Sequence, residues 1–270
     1  MYPFFEVVKN AETKTAFLYL NRPEKRNAMN DDFWWGLPKV VADIEADPEI
    51  RACVVAGRGK SFSTGLDIEE FFKGRKDTMQ SDSADAREAL LTMIAEMQSG
   101  LNAIADADTV FIAAVHRHCI GGGLDLAAAC DLRYCTKDAS FSLREAKVAI
   151  VADMGSLQRL PSIIGQGNTR LMALTGRDFS GAAAEKMGLV NEVYESVETM
   201  IAETEKLAVE IAANPNLAVR GTKRILNYGL NHFQNDALEH VVLFNTSFLD
   251  SLDLRELGDA FVNKRRPVFR

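Results

Sequence analysis

The sequence predicts an α/β core followed by an all-helical C-terminal region, and three observations carry that reading. Apolar runs such as Arg51–Ala56 (RACVVA) and Val110–Val115 (VFIAAV) have the length and continuous apolar character of interior strands. They alternate with segments of 3.6-residue apolar period, in a recurring strand, strand, helix order. From about Ser196 onward only helical periodicity remains, which divides the chain into residues 1–195 and 196–270.

Taken in order, Phe4–Lys9 and Thr15–Leu20 alternate as strands do and pair as a hairpin across Asn10–Lys14. Asn30 or Asp31 caps a helix that turns Phe33, Leu37, Val40, Val41 and Ile44 inward, and Asp47–Pro48 stops it. Arg51–Ala56 is a buried strand leading into a Gly/Ser-rich turn, GRGKSFSTG. Phe72–Arg87, rich in charge, Ser and Thr, has little to bury and is expected to be a mobile loop. Ala89–Ala105 resumes the helical period, Val110–Val115 is a strand, and Leu132–Cys135 and Ser140–Leu143 are strand-like. Helical patterns then cover Glu198–Asn214, Val219–Asn231 and a longer stretch from about Asp236.

Composition narrows the function. A 270-residue chain with 47% hydrophobic and 26% charged residues is an ordinary globular protein. A net charge of −7 argues against broad nucleic-acid binding. No apolar run approaches a membrane span. Neither terminus reads as an address, so a cytoplasmic protein is expected. Cys53, Cys119, Cys130 and Cys135 lie in or beside apolar runs and read as buried reduced thiols.

The chemistry concentrates between Cys119 and Leu160. Gly121, Gly122 and Gly123 close an apolar strand-like run and open a helix, a turn that offers bare backbone N–H groups to an anionic oxygen. Asp125 follows in the first turn of that helix, then Glu145, then Asp153 within an otherwise apolar segment. Each acid has a plain structural explanation: a first-turn acid at Asp125, a surface residue beside Arg144 and Lys147 at Glu145, a helix cap at Asp153. Three together behind an oxyanion-ready turn point to a site that stabilises an oxyanion while moving protons. Other motifs fail. GRGKS lacks the first glycine of a phosphate-binding loop, since Val54 stands there, and there is no G-x-S-x-G elbow. His116, His118 and the cysteines do not have zinc-pair spacing, so no metal is expected.

At these residues the chain closely resembles the enoyl-CoA hydratase/isomerase (crotonase) superfamily. The resemblance runs through NRPEKRNAMN, SFSTGLDI, the glycine turn, LQRLPSIIG, EKMGLVNEV and AFVNKRRP, in that order. It implies an α/β crotonase-like spiral of ββα units, with residues 1–195 as the acyl-CoA-binding catalytic core. Residues 196–270 would form a helical oligomerisation region that builds a homotrimer, or a hexamer of two trimers. The implied substrate is an acyl-CoA thioester, with coenzyme A part of the substrate and no separate cofactor, and no nucleic acid or membrane as partner. Leu66 and Gly122 match the two backbone donors of the family's oxyanion hole.

Within the superfamily, GGGLD with Asp125, RE with Glu145 and ADMG with Asp153 look like the dienoyl-CoA isomerases, which move a proton from C2 to C6 of a 3,5-dienoyl-CoA. The resemblance then makes Glu145 the C2 base and Asp153 the C6 acid, with the reverse order equally compatible, and leaves Asp125 to hydrogen-bond its neighbours. Lys25, Arg26 and Ala28, with Ser63, Thr64, Gly65 and Asp67, match segments lining coenzyme A. Phe261 and Lys264 match residues that reach a neighbouring subunit's coenzyme A. A 2-enoyl-CoA hydratase and a non-catalytic acyl-CoA- or RNA-binding relative stay open as alternatives.

Overall fold

A computed structural model of the chain describes residues 2–80 and 83–270. The hairpin forms as expected: β1 (Phe5–Asn10) pairs antiparallel with β2 (Thr15–Leu20), in a register running from Phe5 opposite Leu20 to Asn10 opposite Thr15. Helix α1 (Asp31–Glu45) starts at Asn30, whose side chain accepts from the Phe33 N–H, and buries all five expected residues together with Trp34. β3 (Ala52–Gly57) follows.

The polar stretch Phe72–Arg87 departs from expectation. Helix α2 (Ile68–Gln80) continues through its first half and α3 (Ala84–Asp106) takes up its end; residues 81 and 82 lie outside the described residues. Tertiary anchors outweigh the poor apolar content: the Arg75 guanidinium pairs with Asp31 of α1 and donates to Met93 Sδ of α3 (3.0 Å). Ser83 caps α3 by accepting from the Ala86 N–H.

β4 (Val110–Val115) and β5 (His118–Ile120) lead into α4 (Gly122–Ala129), then β6 (Leu132–Thr136) and β7 (Ser140–Ser142). Helix α5 (Ser156–Thr175) is interrupted at Gly165, and β8 (Phe179–Ser180), α6 (Gly181–Lys186) and β9 (Glu192–Tyr194) complete the core. One sheet has the order β1-β2-β3-β4-β6-β9 and a smaller one β5-β7-β8. From β4 to β7 the strands fall alternately into the large and the small sheet, so this part of the chain winds as a spiral of strand pairs and helices. The bridge from Ser63 to Cys119 carries the segment after β3 into the small sheet in the same way.

Strand alternation sorts the interior into two layers. Ala52, Val54 and Ala56 with Val110, Ile112 and Ala114 face Met200 and Ala208 of α7 (Val197–Ala212). Cys53 and Val55 with Phe111, Ala113 and Val115 join the larger core shared with α1, α3 and α4. Parallel strands buried on both faces read as continuous apolar runs, which is why these two stand out in the sequence. The four cysteines are buried and free.

Beyond α7 lie α8 (Asn216–Asn231), α9 (Gln234–Phe248) and α10 (Leu252–Val262). The stretch expected as one longer helix from Asp236 is two, because Ser251 caps α10 by accepting from the Leu254 N–H. No helix among the described residues is long and apolar enough to cross a membrane. Helix α8 is fastened to the sheet by Lys223, 6% exposed, whose Nζ donates to Asp131 Oδ2 (2.8 Å) and Thr109 O (2.9 Å). Lys223→Met leaves the half-buried Asp131 carboxylate with only the Phe111 N–H (2.8 Å) among these bonds, and a loss of roughly 2 kcal/mol is expected. The check is the urea midpoint, and an unchanged midpoint would remove the anchoring role.

Candidate active site

The glycine turn is built for close approach. Gly121 has φ 52° and ψ −119°, a combination that costs a side-chain-bearing residue dearly. A Cβ there would also stand 2.9 Å from Glu145 Oε1, so the glutamate carboxylate lies directly against the turn. Gly122 opens α4, and its N–H has no acceptor within that helix. Met29 packs beneath it so closely that a Cβ on Gly122 would meet Met29 Sδ at 2.8 Å.

Met29 also orients the Leu66 peptide. Its N–H donates to Gly65 O (2.7 Å) and its carbonyl accepts from the Asp67 N–H (2.9 Å), a parallel bridge that brackets Leu66. In that pattern the Leu66 N–H turns away from Met29 and is left to face outward. A Cβ at Gly65 would fall 3.3 Å from the Gly122 nitrogen, so the two loops are in contact. The structure therefore brings the Leu66 and Gly122 segments together from positions far apart in the chain.

The three acids occupy three different environments. Asp125, 1% exposed, accepts from the Ser156 N–H (2.7 Å) and from the Ser156 hydroxyl, both on Oδ1. Burial pushes its carboxyl up to about 6 against the pull of those bonds. Glu145 begins a short 3-10 helix, Glu145–Val148. Burial, then the nearby Asp125 charge, push it up to about 7, and its Oε2 is buried without a partner among the described residues. Asp153 is half-buried in the irregular segment before α5, and burial raises its carboxyl as well.

The residues matched to coenzyme A divide into two groups. Lys25 and Arg26 are exposed at the end of a short 3-10 helix, Pro23–Lys25; Ala28 and Thr64 are half-buried beside them, and the Thr64 N–H donates to Arg26 O (3.2 Å). Ser63, Gly65 and Asp67 are buried. Ser63 Oγ donates to Asn27 O (2.8 Å) and accepts from the Gly65 N–H (3.1 Å), and Asp67 pairs with Arg22 (2.7 Å) and caps α2 through the Glu70 N–H (3.2 Å). Burial pushes the Asp67 carboxyl up, but those bonds outweigh it and hold it below its ordinary value. The side chains of Ser63 and Asp67 thus shape the loop, and its surface is offered by backbone and by Lys25, Arg26 and Thr64. Phe261, 84% exposed, and Lys264 lie at the end of α10, with no hydrogen bond or ion pair among the described residues tying them to these loops.

Several residues of this neighbourhood escape the sequence reading. Asn27, in left-handed backbone (φ 55°), donates from Nδ2 to Ser61 O (2.8 Å) and Phe62 O (3.1 Å), holding the loop that leads to Leu66. An Asn among charged turn residues was its available signal. Trp34 packs 3.5 Å from the position of a Gly122 Cβ, but on α1 it reads as one more core aromatic. Ser156 meets Asp125 across 31 residues, and no local pattern announces that. Among the described residues no three His, Cys, Asp or Glu side chains group to hold a metal.

Comparison with known proteins places this geometry. Residues 10–270 match the family model described as enoyl-CoA hydratase/isomerase. The chain is 39% identical over 272 residues to the mitochondrial Δ(3,5)-Δ(2,4)-dienoyl-CoA isomerase of Dictyostelium discoideum, covering 100% of this chain and 92% of that protein. It is 37% identical over 270 residues to the peroxisomal Δ(3,5)-Δ(2,4)-dienoyl-CoA isomerase of Arabidopsis thaliana, covering 99% and 97%. The crystal structure of an enoyl-CoA hydratase from Bacillus anthracis superposes with a TM-score of 0.87 at 26% identity over 98% of each chain. These relatives overturn the cytoplasmic expectation, since the two isomerases are mitochondrial and peroxisomal proteins. Compartment is read by receptors from short addresses, and bulk composition and charge carry no such information.

Proposed function

The chain belongs to the enoyl-CoA hydratase/isomerase family, and on that premise we propose that it converts 3,5-dienoyl-CoA thioesters to their 2,4-dienoyl isomers. The observation that carries this reading is the division of labour among the acids. Asp125 is committed to Ser156, Glu145 keeps a buried oxygen beside the oxyanion turn that is unpartnered among the described residues, and Asp153 is a third carboxyl whose charge reaches both. Hydration needs two carboxylates on one water; the third carboxyl, Asp153, adds the second proton-transfer group that a shift between two carbons requires. The dienoyl-CoA isomerases of D. discoideum and A. thaliana support the same assignment at 39% and 37% identity.

The thioester carbonyl sits between the N–H groups of Leu66 and Gly122. Glu145, ionised, takes the proton from C2; the electron pair moves into a conjugated enolate whose charge rests on the carbonyl oxygen. Each preorganised donor there is worth about 10²–10³ in rate. Asp153, protonated, then gives its proton to C6, leaving double bonds at C2 and C4 and re-forming the carbonyl. Exchange with water returns Glu145 to its ionised and Asp153 to its protonated form. Proximity of Glu145 to Gly121 favours it for the carbon next to the carbonyl. Coenzyme A enters as part of the substrate along Lys25, Arg26, Ala28 and the Ser63–Asp67 loop, and no separate cofactor is required.

Residues 1–195 act as the catalytic core and 196–270 as the oligomerisation region of a homotrimer or a hexamer, with Phe261 and Lys264 reaching a neighbour's coenzyme A. The largely exposed Leu226, Leu230, Phe233, Leu243 and Val262 of the C-terminal region favour such an interface. The deciding assay offers a 3,5-dienoyl-CoA and follows the absorbance of the conjugated product, then a 2-enoyl-CoA and follows its loss by hydration. Fast isomerisation with little hydration is expected. The reverse would make the protein a hydratase, and silence in both with coenzyme A binding kept would make it a non-catalytic binder.

A further inference from the structure

The segment that carries Asp153 belongs to no helix or strand, so its backbone groups must find partners elsewhere. They find them on α3 and α5. Gln98 and Asn102 sit one helical turn apart on α3 and so share a face. Gln98 Nε2 donates to the carbonyl of Asp153 itself. Asn102 Oδ1 accepts from Arg159 Nη2 (2.6 Å), and Arg159 Nη1 donates to the carbonyl of Met154 (3.3 Å). The guanidinium lies across Gly155, where a Cβ would stand only 1.9 Å from Nη1, so the glycine is what lets it reach. One residue further on, Ser156 is tied to Asp125.

Two successive carbonyls and, beyond Gly155, Ser156 are thereby held from three directions. The Asp153 carboxyl, in contrast, is bonded by no other side chain among the described residues. Its position is set by the backbone beneath it. We propose that Gln98 and the Asn102–Arg159 pair are positioning residues that aim Asp153 at the distal carbon of the substrate. The inference rests on the isomerase reading above and adds to it the groups that fix where the second proton transfer takes place.

A clamp that merely held α3 against α5 would, when broken, weaken the whole site evenly. One that aims Asp153 would, when broken, spare the chemistry at C2. The test therefore measures two rates in Gln98→Ala, Arg159→Met and Arg159→Lys: isomerisation of a 3,5-dienoyl-CoA, and deuterium uptake from heavy water at C2 of the recovered substrate, read by mass spectrometry. In the first two variants isomerisation should fall roughly 10²-fold. KM should stay within about twofold, and C2 exchange should persist, so that the ratio of exchange to isomerisation rises well above wild type. Arg159→Lys, which keeps a donor for the Met154 carbonyl, should recover part of the loss. Exchange and isomerisation falling together, or neither changing, would overturn the clamp. Wild-type turnover is the separate control on the reaction itself: its absence would overturn the isomerase reading and the clamp with it.

Discussion

Asp153→Asn should lower kcat for isomerisation roughly 10³-fold while leaving acyl-CoA affinity nearly unchanged. The substitution is isosteric, and no side chain among the described residues depends on the Asp153 carboxyl for a hydrogen bond, so the fold has little reason to respond. What is lost is the proposed proton donor, a carboxyl that burial raises and so shifts toward its protonated form. Coenzyme A, whose proposed contacts lie along the loops around Lys25 and Thr64, should not sense the change. Steady-state kinetics paired with a direct binding measurement check this, and near-normal turnover in the variant would remove Asp153 from the chemistry.

Glu145→Gln should cost activity on a similar scale, roughly 10²–10⁴-fold, and make the protein more stable at neutral and higher pH. Burial raises the Glu145 carboxyl to about 7. The native state therefore holds a proton that the unfolded chain releases at the ordinary value for a glutamate. Stability from this group is fully present below that ordinary value and is lost as pH rises through about 7. Removing the ionisable group should return on the order of 2 kcal/mol at about pH 8 and almost nothing below about pH 4. Thermal unfolding of wild type and variant at the two pH values measures the gap, and a gap that does not depend on pH would refute burial of the Glu145 carboxylate as its cause. A base poised by an unfavourable burial is a familiar exchange of stability for function.

Much of the architecture was legible because it is written locally. β3 and β4 are buried on both faces, so their apolar runs are unbroken; α1 announces itself through its cap at Asn30 and its inward stripe. The triple glycine reads correctly as the start of α4, because an orphaned N–H at a helix start and a backbone conformation closed to other residues are both consequences of residue type. The stretch Phe72–Arg87 shows the opposite case. Its composition argues for a loop, yet Arg75 reaching Asp31 of α1 and Met93 of α3 supplies from other elements what the segment lacks in apolar content.

What the amino-acid order determined by itself was therefore the α/β class, the glycine turn that opens α4 and, through linked motifs, the family. What each acid is free to do was decided only when the chain folded. Asp125 is bound by a serine 31 residues away, Glu145 is pressed against Gly121 with one oxygen unpaired among the described residues, and Asp153 is held by α3 through its own carbonyl, in a segment outside any regular element. Hydrogen bonds and burial act over a few ångströms in space with no regard for separation along the chain. Proton affinity is set by those neighbours, so the chemistry of a carboxylate becomes readable only once its surroundings have been assembled.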